Sequence, residues 1–204
     1  MNICISREFG SGGHDIGEQI AMQTGYRFFD RKLVEEAAER SGIAVEHLEK
    51  EDEKKANPWL HNVWYKSEDE NLRGLSANDI LFRVQSRYIL ECAGKGNNVF
   101  VGRCADYVLK KAEIPHVSIF ITAPYEDRVF RIMERRHLCE KDAQTLVRKT
   151  DKRRKAYYNY YTEGGWGKPD NYDLCINSSW KGIRKTADIL RTYLEEGDSE
   201  DDRI

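Results

Sequence analysis

No apolar run in the sequence approaches the roughly 18 residues that a membrane-spanning helix requires, so no such helix is read. The opening stretch MNICISREFG lacks a basic segment followed by a long apolar one, and the expectation is a chain without a secretory leader. Cysteine is sparse: Cys4, Cys92, Cys104, Cys139 and Cys175 are scattered, odd in number and without a CxxC pair. That pattern offers neither a disulfide framework nor metal-site spacing, and it fits reduced thiols in a cytoplasmic protein. Cys4 and Cys175 lie in apolar, strand-like runs and are expected as small buried hydrophobes. An excess of either charge is also missing. Thirty-three basic residues face thirty-five acidic ones, a net charge of -2, which argues against a nucleic-acid partner. Internal repeats are absent. With 204 residues, 40% of them hydrophobic, the chain can bury a core without covalent staples.

What is present alternates. Residues 2–6 (NICIS) predict a strand that stops at Gly10, Gly12 and Gly13, and a helix follows with Ile16, Ile20 and Ala21 on one face. Residues 26–29 predict a second strand and 31–42 a helix capped by Asp30. Residues 44–74 are polar with scattered tryptophans, and read as a flexible insertion or a substrate-covering segment. Ser76 and Asp79 resemble a capping box for a helix to Ala93. Strands are predicted at 99–101, 117–121 and 172–176, and helices at 105–111 and 180–193. Between residues 128 and 155 lie eleven basic and four acidic residues, read as a pair of basic helices. Residues 195–204 form an acidic tail expected to be disordered. Strand–helix alternation predicts an α/β domain over 1–194, a parallel sheet with helices on both faces.

Three segments carry chemistry. In SREFGSGGHDIG (6–17), glycines between strand and helix let backbone N–H groups converge on a phosphate at a helix N-terminus. The strict phosphate-loop pattern is not met, because Gly13 stands where the lysine belongs and His14 where Ser/Thr belongs. A glycine-rich turn without a ligand fits the same pattern. In VFVGRCADYVL (99–109), Arg103 ends a buried strand at the sheet edge where α/β proteins bind ligands, as a planar phosphate partner or a surface ion pair. In DKRRKAYYNYY (151–161), seven net positive charges across the wider basic stretch point to an anionic partner, while Tyr157 and Tyr161 have the spacing of packing residues.

These segments, with FFDRKLV (28–34), DRVFRIMERR (127–136) and NYDLCINSS (171–179), resemble the cytidylate kinase-like family, a branch of the P-loop nucleoside monophosphate kinases. The resemblance implies a five-stranded parallel sheet with a helical lid at about 128–168. It implies ATP with magnesium (Mg2+) as cofactors, and phosphoryl transfer from ATP to a small phosphorylated acceptor, CMP or dCMP preferred. Gly10, Ser11, Gly12, Gly13, His14 and Asp15 would bind the donor's phosphates. Arg103, Asp30 and, one turn apart, Arg83 and Arg87 would bind the acceptor. Arg154 and Arg136 match lid arginines that neutralise developing charge, and Arg7 is the first substitute for the missing lysine, His14 the second. Ser11 or Asp15 would contact magnesium, and no dedicated metal ligand is assigned. The absent lysine keeps two alternatives: a non-catalytic nucleotide-binding regulator, and a kinase acting on a non-nucleotide small molecule.

Overall fold

The computed structural model describes residues 1–30 and 77–196. The helix read at 31–42, the insertion at 44–74, Ser76 and residues 197–204 of the tail lie outside the described residues.

Period-two alternation sorts the strand side chains. In β1 (Asn2–Arg7), Ile3 and Ile5 face one side and Cys4 the other; in β3 (Asn98–Val101), Val99 and Val101 oppose Phe100. With β2 (Arg27–Phe29), β4 (Val117–Thr122) and β5 (Leu174–Asn177) they form one five-stranded sheet, ordered β2-β3-β1-β4-β5. Every pairing is parallel, with Ile3 opposite both Val99 and Val117. On one face α1 (Gly13–Thr24) and α6 (Gly182–Glu196) cover Ile3, Ile5, Ile119 and Ile121 with Ile16, Ile20 and Leu190. On the other, α2 (Ala77–Ala93) and α3 (Ala105–Lys111) pack Ile89, Cys92 and Leu109 against Cys4 and Phe100. Both faces being covered explains why β4 reads VSIFIT with no polar alternation.

Helices α4 (Tyr125–Arg136) and α5 (Glu140–Tyr161) pack on each other through Val129, Ile132, Ala143 and Val147, the pair of basic helices expected. Phe9 of the loop after β1 inserts into that contact. α6 runs into the acidic stretch as far as Glu196, so Glu195 and Glu196 are helical rather than part of a tail. Cys4 is buried as expected, whereas Cys175 is exposed. The correction follows from the sheet order: β5 is an edge strand whose residues alternate between half-buried and exposed. At the amino edge, Asn98 Nδ2 donates to Asn2 Oδ1 at 2.7 Å and to the Cys92 carbonyl at 3.0 Å. Arg27 donates to Asn98 Oδ1 at 2.7 Å, so both amide ends of this buried asparagine are paired.

Candidate functional site

The carboxyl ends of β1 and β3 lie side by side at the centre of the sheet, where parallel α/β folds place ligands. After β1 the chain turns through a loop that ends at Gly12, the N-cap of α1, with φ of 79°. A side chain at Gly12 would adopt a strained left-handed backbone and place its Cβ 2.7 Å from Ile183. No side chain caps α1 among the described residues, so its first amides remain available to an anion.

Buried charges hold this loop from behind. Arg128, on α4, has a side chain only 9% exposed. It donates to the carbonyls of Ala123 at 3.1 Å and Phe9 at 3.2 Å, and pairs with Asp151 and, at 3.5 Å, Glu8. Asp151 accepts the Phe9 amide at 2.7 Å, and Glu8 accepts the Thr122 hydroxyl at 2.6 Å and the Ala123 amide at 3.2 Å. Arg131 reaches the Gly10 carbonyl at 3.2 Å and Ser179 at 2.9 Å, and Ser178 donates to the Ser11 carbonyl. Sequence reasoning missed Glu8, Arg128, Arg131 and Asp151 as site residues. Arg128 and Arg131 stood only inside the basic stretch, and their partners, the Ala123 carbonyl apart, are 23 to 121 positions away.

In front of the loop positive charges outnumber the carboxylates. The Arg7 side chain passes Gly13 and lays its guanidinium against Gly102, where it leaves no room for a Cβ. Arg7 Nε is buried and has no hydrogen-bond partner among the described residues. Burial, then repulsion from Arg154 and Arg103, push the Arg7 pKa down, with Asp30 opposing. Arg154 donates to the Arg7 carbonyl at 3.1 Å and lies over the Phe9 ring. Burial lowers its pKa to about 10, Asp151 opposes, and Arg153 and Arg103 add to the lowering. Both guanidiniums stay charged at neutral pH. Gly102, Arg103 and Cys104 have successive positive φ values of 84°, 59° and 56°, strain that shapes the turn carrying Arg103. The structure thus brings Arg7, Arg103, Arg154 and Asp30 into one cluster beside the α1 terminus.

Other expected site residues lie elsewhere or are engaged. His14 Nε2 is 2.9 Å from Asp30, its Nδ1 3.6 Å from Asp15, and Asp15 pairs with Arg135. The carboxylates of Asp15 and Asp30 raise the His14 pKa against partial burial. These two carboxylate contacts favour the protonated imidazole, against the helix N-terminus, which disfavours it. Hydrogen bonding from His14, then Arg135, holds Asp15 down at about 2. Ser11 is fully buried and its hydroxyl donates to the Glu8 carbonyl at 2.9 Å. Neither Ser11 nor Asp15 therefore fits as a ready magnesium ligand, and the described residues hold no cluster of three or more metal-binding side chains. Arg83 and Arg87 are exposed on the outer face of α2, and Arg136 is exposed at the end of α4.

α5 is tied down at its C-terminal half. Tyr158 donates to the buried Asp106 of α3 at 2.8 Å, and burial pushes both groups' pKa values up. Tyr161 stacks on Phe82 of α2 with ring centres 4.1 Å apart and donates to Asp79 at 3.2 Å. The tyrosines expected to pack do so, and Asp79 serves this contact.

A sequence profile of the cytidylate kinase-like family matches residues 2–180. Cytidylate kinase of Staphylothermus marinus is 30% identical over 132 residues, covering 62% of this chain and 71% of that protein. Uronate isomerase of Corynebacterium glutamicum is 27% identical over 186 residues, 89% of this chain, which spans only 34% of that protein's length. An uncharacterized protein from Eubacterium ventriosum superposes with a TM-score of 0.72 and 26% identity over 96% of this chain and 98% of that one. Shikimate kinase from Acinetobacter baumannii shares the fold, with a TM-score of 0.54 and 15% identity over 98% and 95% of the two chains. No described helix is long and apolar enough to cross a membrane.

Proposed function

From the premise that the chain belongs to the cytidylate kinase-like family, we propose that it transfers the γ-phosphoryl group of ATP to a nucleoside monophosphate, with CMP or dCMP preferred. The observation that carries this reading is the arginine cluster beside an uncapped helix N-terminus. Guanidiniums that repel one another and include a buried Nε without a partner are stabilised when an anion enters among them.

In this reading the donor's phosphates lie on the amides at the start of α1. An oxygen of the acceptor's phosphate forms the new bond to the γ-phosphorus as the bond to the β–γ bridging oxygen breaks, and ADP leaves. The protein positions the reactants and neutralises charge, and no side chain acts as nucleophile. Arg103 orients the acceptor phosphate. Arg7 supplies the positive charge that the loop's missing lysine leaves out, and Arg154 faces the transferred group. Magnesium is the usual companion of ATP, and in the loop the Ser11 hydroxyl and the Asp15 carboxylate are already engaged within the protein.

The test is turnover of the full chain with ATP and a panel of CMP, dCMP, UMP, AMP and shikimate, read as ADP release. Turnover with CMP or dCMP above the others supports the proposal. Turnover only with shikimate replaces it with the non-nucleotide reading. Binding of ATP and CMP without ADP release replaces it with the regulatory one.

A further inference from the structure

Gln85, on α2, is 1% exposed, and neither its Nε2 nor its Oε1 has a hydrogen-bond partner among the described residues. A buried carboxamide without partners is costly, because water no longer satisfies it. The other buried carboxamides among the described residues, those of Asn2 and Asn98, are paired. Asn98, equally buried at the other end of the sheet, is paired at both its amide nitrogen and its amide oxygen.

The position of Gln85 follows from α2 itself. The Cys92 carbonyl accepts from Asn98, which levels the C-terminal end of α2 with the start of β3. Seven residues of helix at about 1.5 Å each rise about as far as three strand steps of about 3.3 Å, so Gln85 stands level with Val101, below Gly102 and Arg103. On the same face, one turn to either side, are Tyr88 and Phe82. Tyr88 meets Phe29, next to Asp30, with ring centres 6.2 Å apart, and Phe82 stacks on Tyr161 of α5. Gln85 thus lies between the end of β2 and the end of α5, on the acceptor side of the arginine cluster, with aromatic rings around it.

We infer that Gln85 reads the hydrogen-bonding edge of the acceptor's nucleobase, a specificity determinant that rests on the nucleoside monophosphate reading above. A carboxamide presents one donor group and one acceptor side by side. Cytosine offers the complement in N3 and its N4 amino group, and uracil offers it in reverse order through O4 and N3–H. Nothing among the described residues pins the amide, so a 180° turn serves either base. The surrounding rings suit a flat heterocycle, which stacks on aromatic faces. Arg83 and Arg87, the residues of α2 expected to meet the acceptor, lie on the opposite, exposed face.

The decisive variant is Gln85→Met, of similar length and without the amide. Calorimetry on the full chain compares CMP, UMP and ribose 5-phosphate, which carries the phosphate and sugar but no base. The expected result is a loss of about 10- to 100-fold in affinity for CMP and UMP, with ribose 5-phosphate unchanged, in a protein whose melting temperature without ligand is equal or higher. Equal affinities of the variant and the wild type for CMP would overturn the inference, as would an equal loss for ribose 5-phosphate. A variant that melts lower shows that the amide is paired within the protein, which also overturns it. Wild-type protein that binds ribose 5-phosphate as tightly as CMP removes the base reader and leaves the arginine site intact. Wild-type protein that binds neither removes both.

Discussion

Two sets of arginines meet around the loop after β1, and they differ in what faces them. Arg128 sits behind the loop among the carboxylates of Asp151 and Glu8 and the carbonyls of Phe9 and Ala123. Arg7 sits in front of it with a buried, unpartnered Nε, Arg103 and Arg154 as its nearest like charges, and Asp30 as the opposing one. A guanidinium satisfied on every side holds backbone in place. One left short of acceptors stores a preference for an anion that is still to arrive. The same residue type thus builds the scaffold on one side and the candidate site on the other.

The comparison breaks most visibly at Arg154. If the front set handles transferred charge, Arg154→Ala lowers kcat by about 10³-fold or more, the range for an arginine at a phosphoryl-transfer transition state, with little change in melting temperature. Single-turnover rates with ATP and CMP measure it, and a wild-type rate in the purified variant removes Arg154 from that role.

Arg128→Ala should show the reverse profile. It strands Asp151 and Glu8 in a half-buried site, and truncating one partner of such a network costs about 3–5 kcal/mol. For a chain of this size that is a fall of roughly 10 °C in melting temperature. Urea unfolding at constant ionic strength reads the loss. An effect below about 1 kcal/mol would mean that the loop is held without Arg128, by its glycines, Phe9, Arg131 and Ser178.

The division between the two sets marks what the sequence could disclose. All five strands fall at or within two residues of where alternation and apolar runs put them, because strand patterning is local. The glycines and Arg103 were legible as candidates for the same reason, each standing at a fixed offset from a strand end, whereas Arg154 came only with the family resemblance of its segment. Arg128 was hidden, since its role depends on Asp151 and Glu8 brought in by the fold. Gln85 was hidden differently. On α2 the charged Arg83 and Arg87 drew the eye toward phosphate chemistry, while helical rotation turned the neutral residue between them inward. The contact of His14 with Asp30 was equally hidden, since Asp30 lies 16 residues on and reaches it only through the return of β2.

Arg103→Lys sharpens the front set. The change keeps the charge and loses the planar fork, so acceptor binding should weaken about tenfold while ATP binding stays within error. Calorimetry with CMP and with ATP separates them. Equal losses for both ligands would place Arg103 in loop packing, in keeping with its left-handed φ of 59°.

The smallest effect concerns the bridge joining the two regions, where His14 links Asp30 to Asp15 and Asp15 pairs with Arg135. The His14 pKa is raised above 6.5 by Asp15 and Asp30, so its contribution to stability is complete below pH 6.5 and is lost as pH rises through the higher folded value. Asp15, held down at about 2 from 3.8, works in the opposite sense: its contribution is present above pH 3.8 and is lost as pH falls toward 2. The bridge is therefore strongest between about pH 4 and 6.5, the interval set by the two unfolded-state values. The His14 side chain is 42% exposed, so solvent screens the interaction and the effect stays below about 1 kcal/mol. His14→Gln keeps a polar side chain and removes the titration. Melting temperatures from pH 5.5 to pH 8.5 should then fall more steeply for the wild type than for the variant, the two curves converging at the alkaline end. Parallel curves across that range would show that folding leaves the imidazole's pKa unshifted, so that neither carboxylate stabilises its charge.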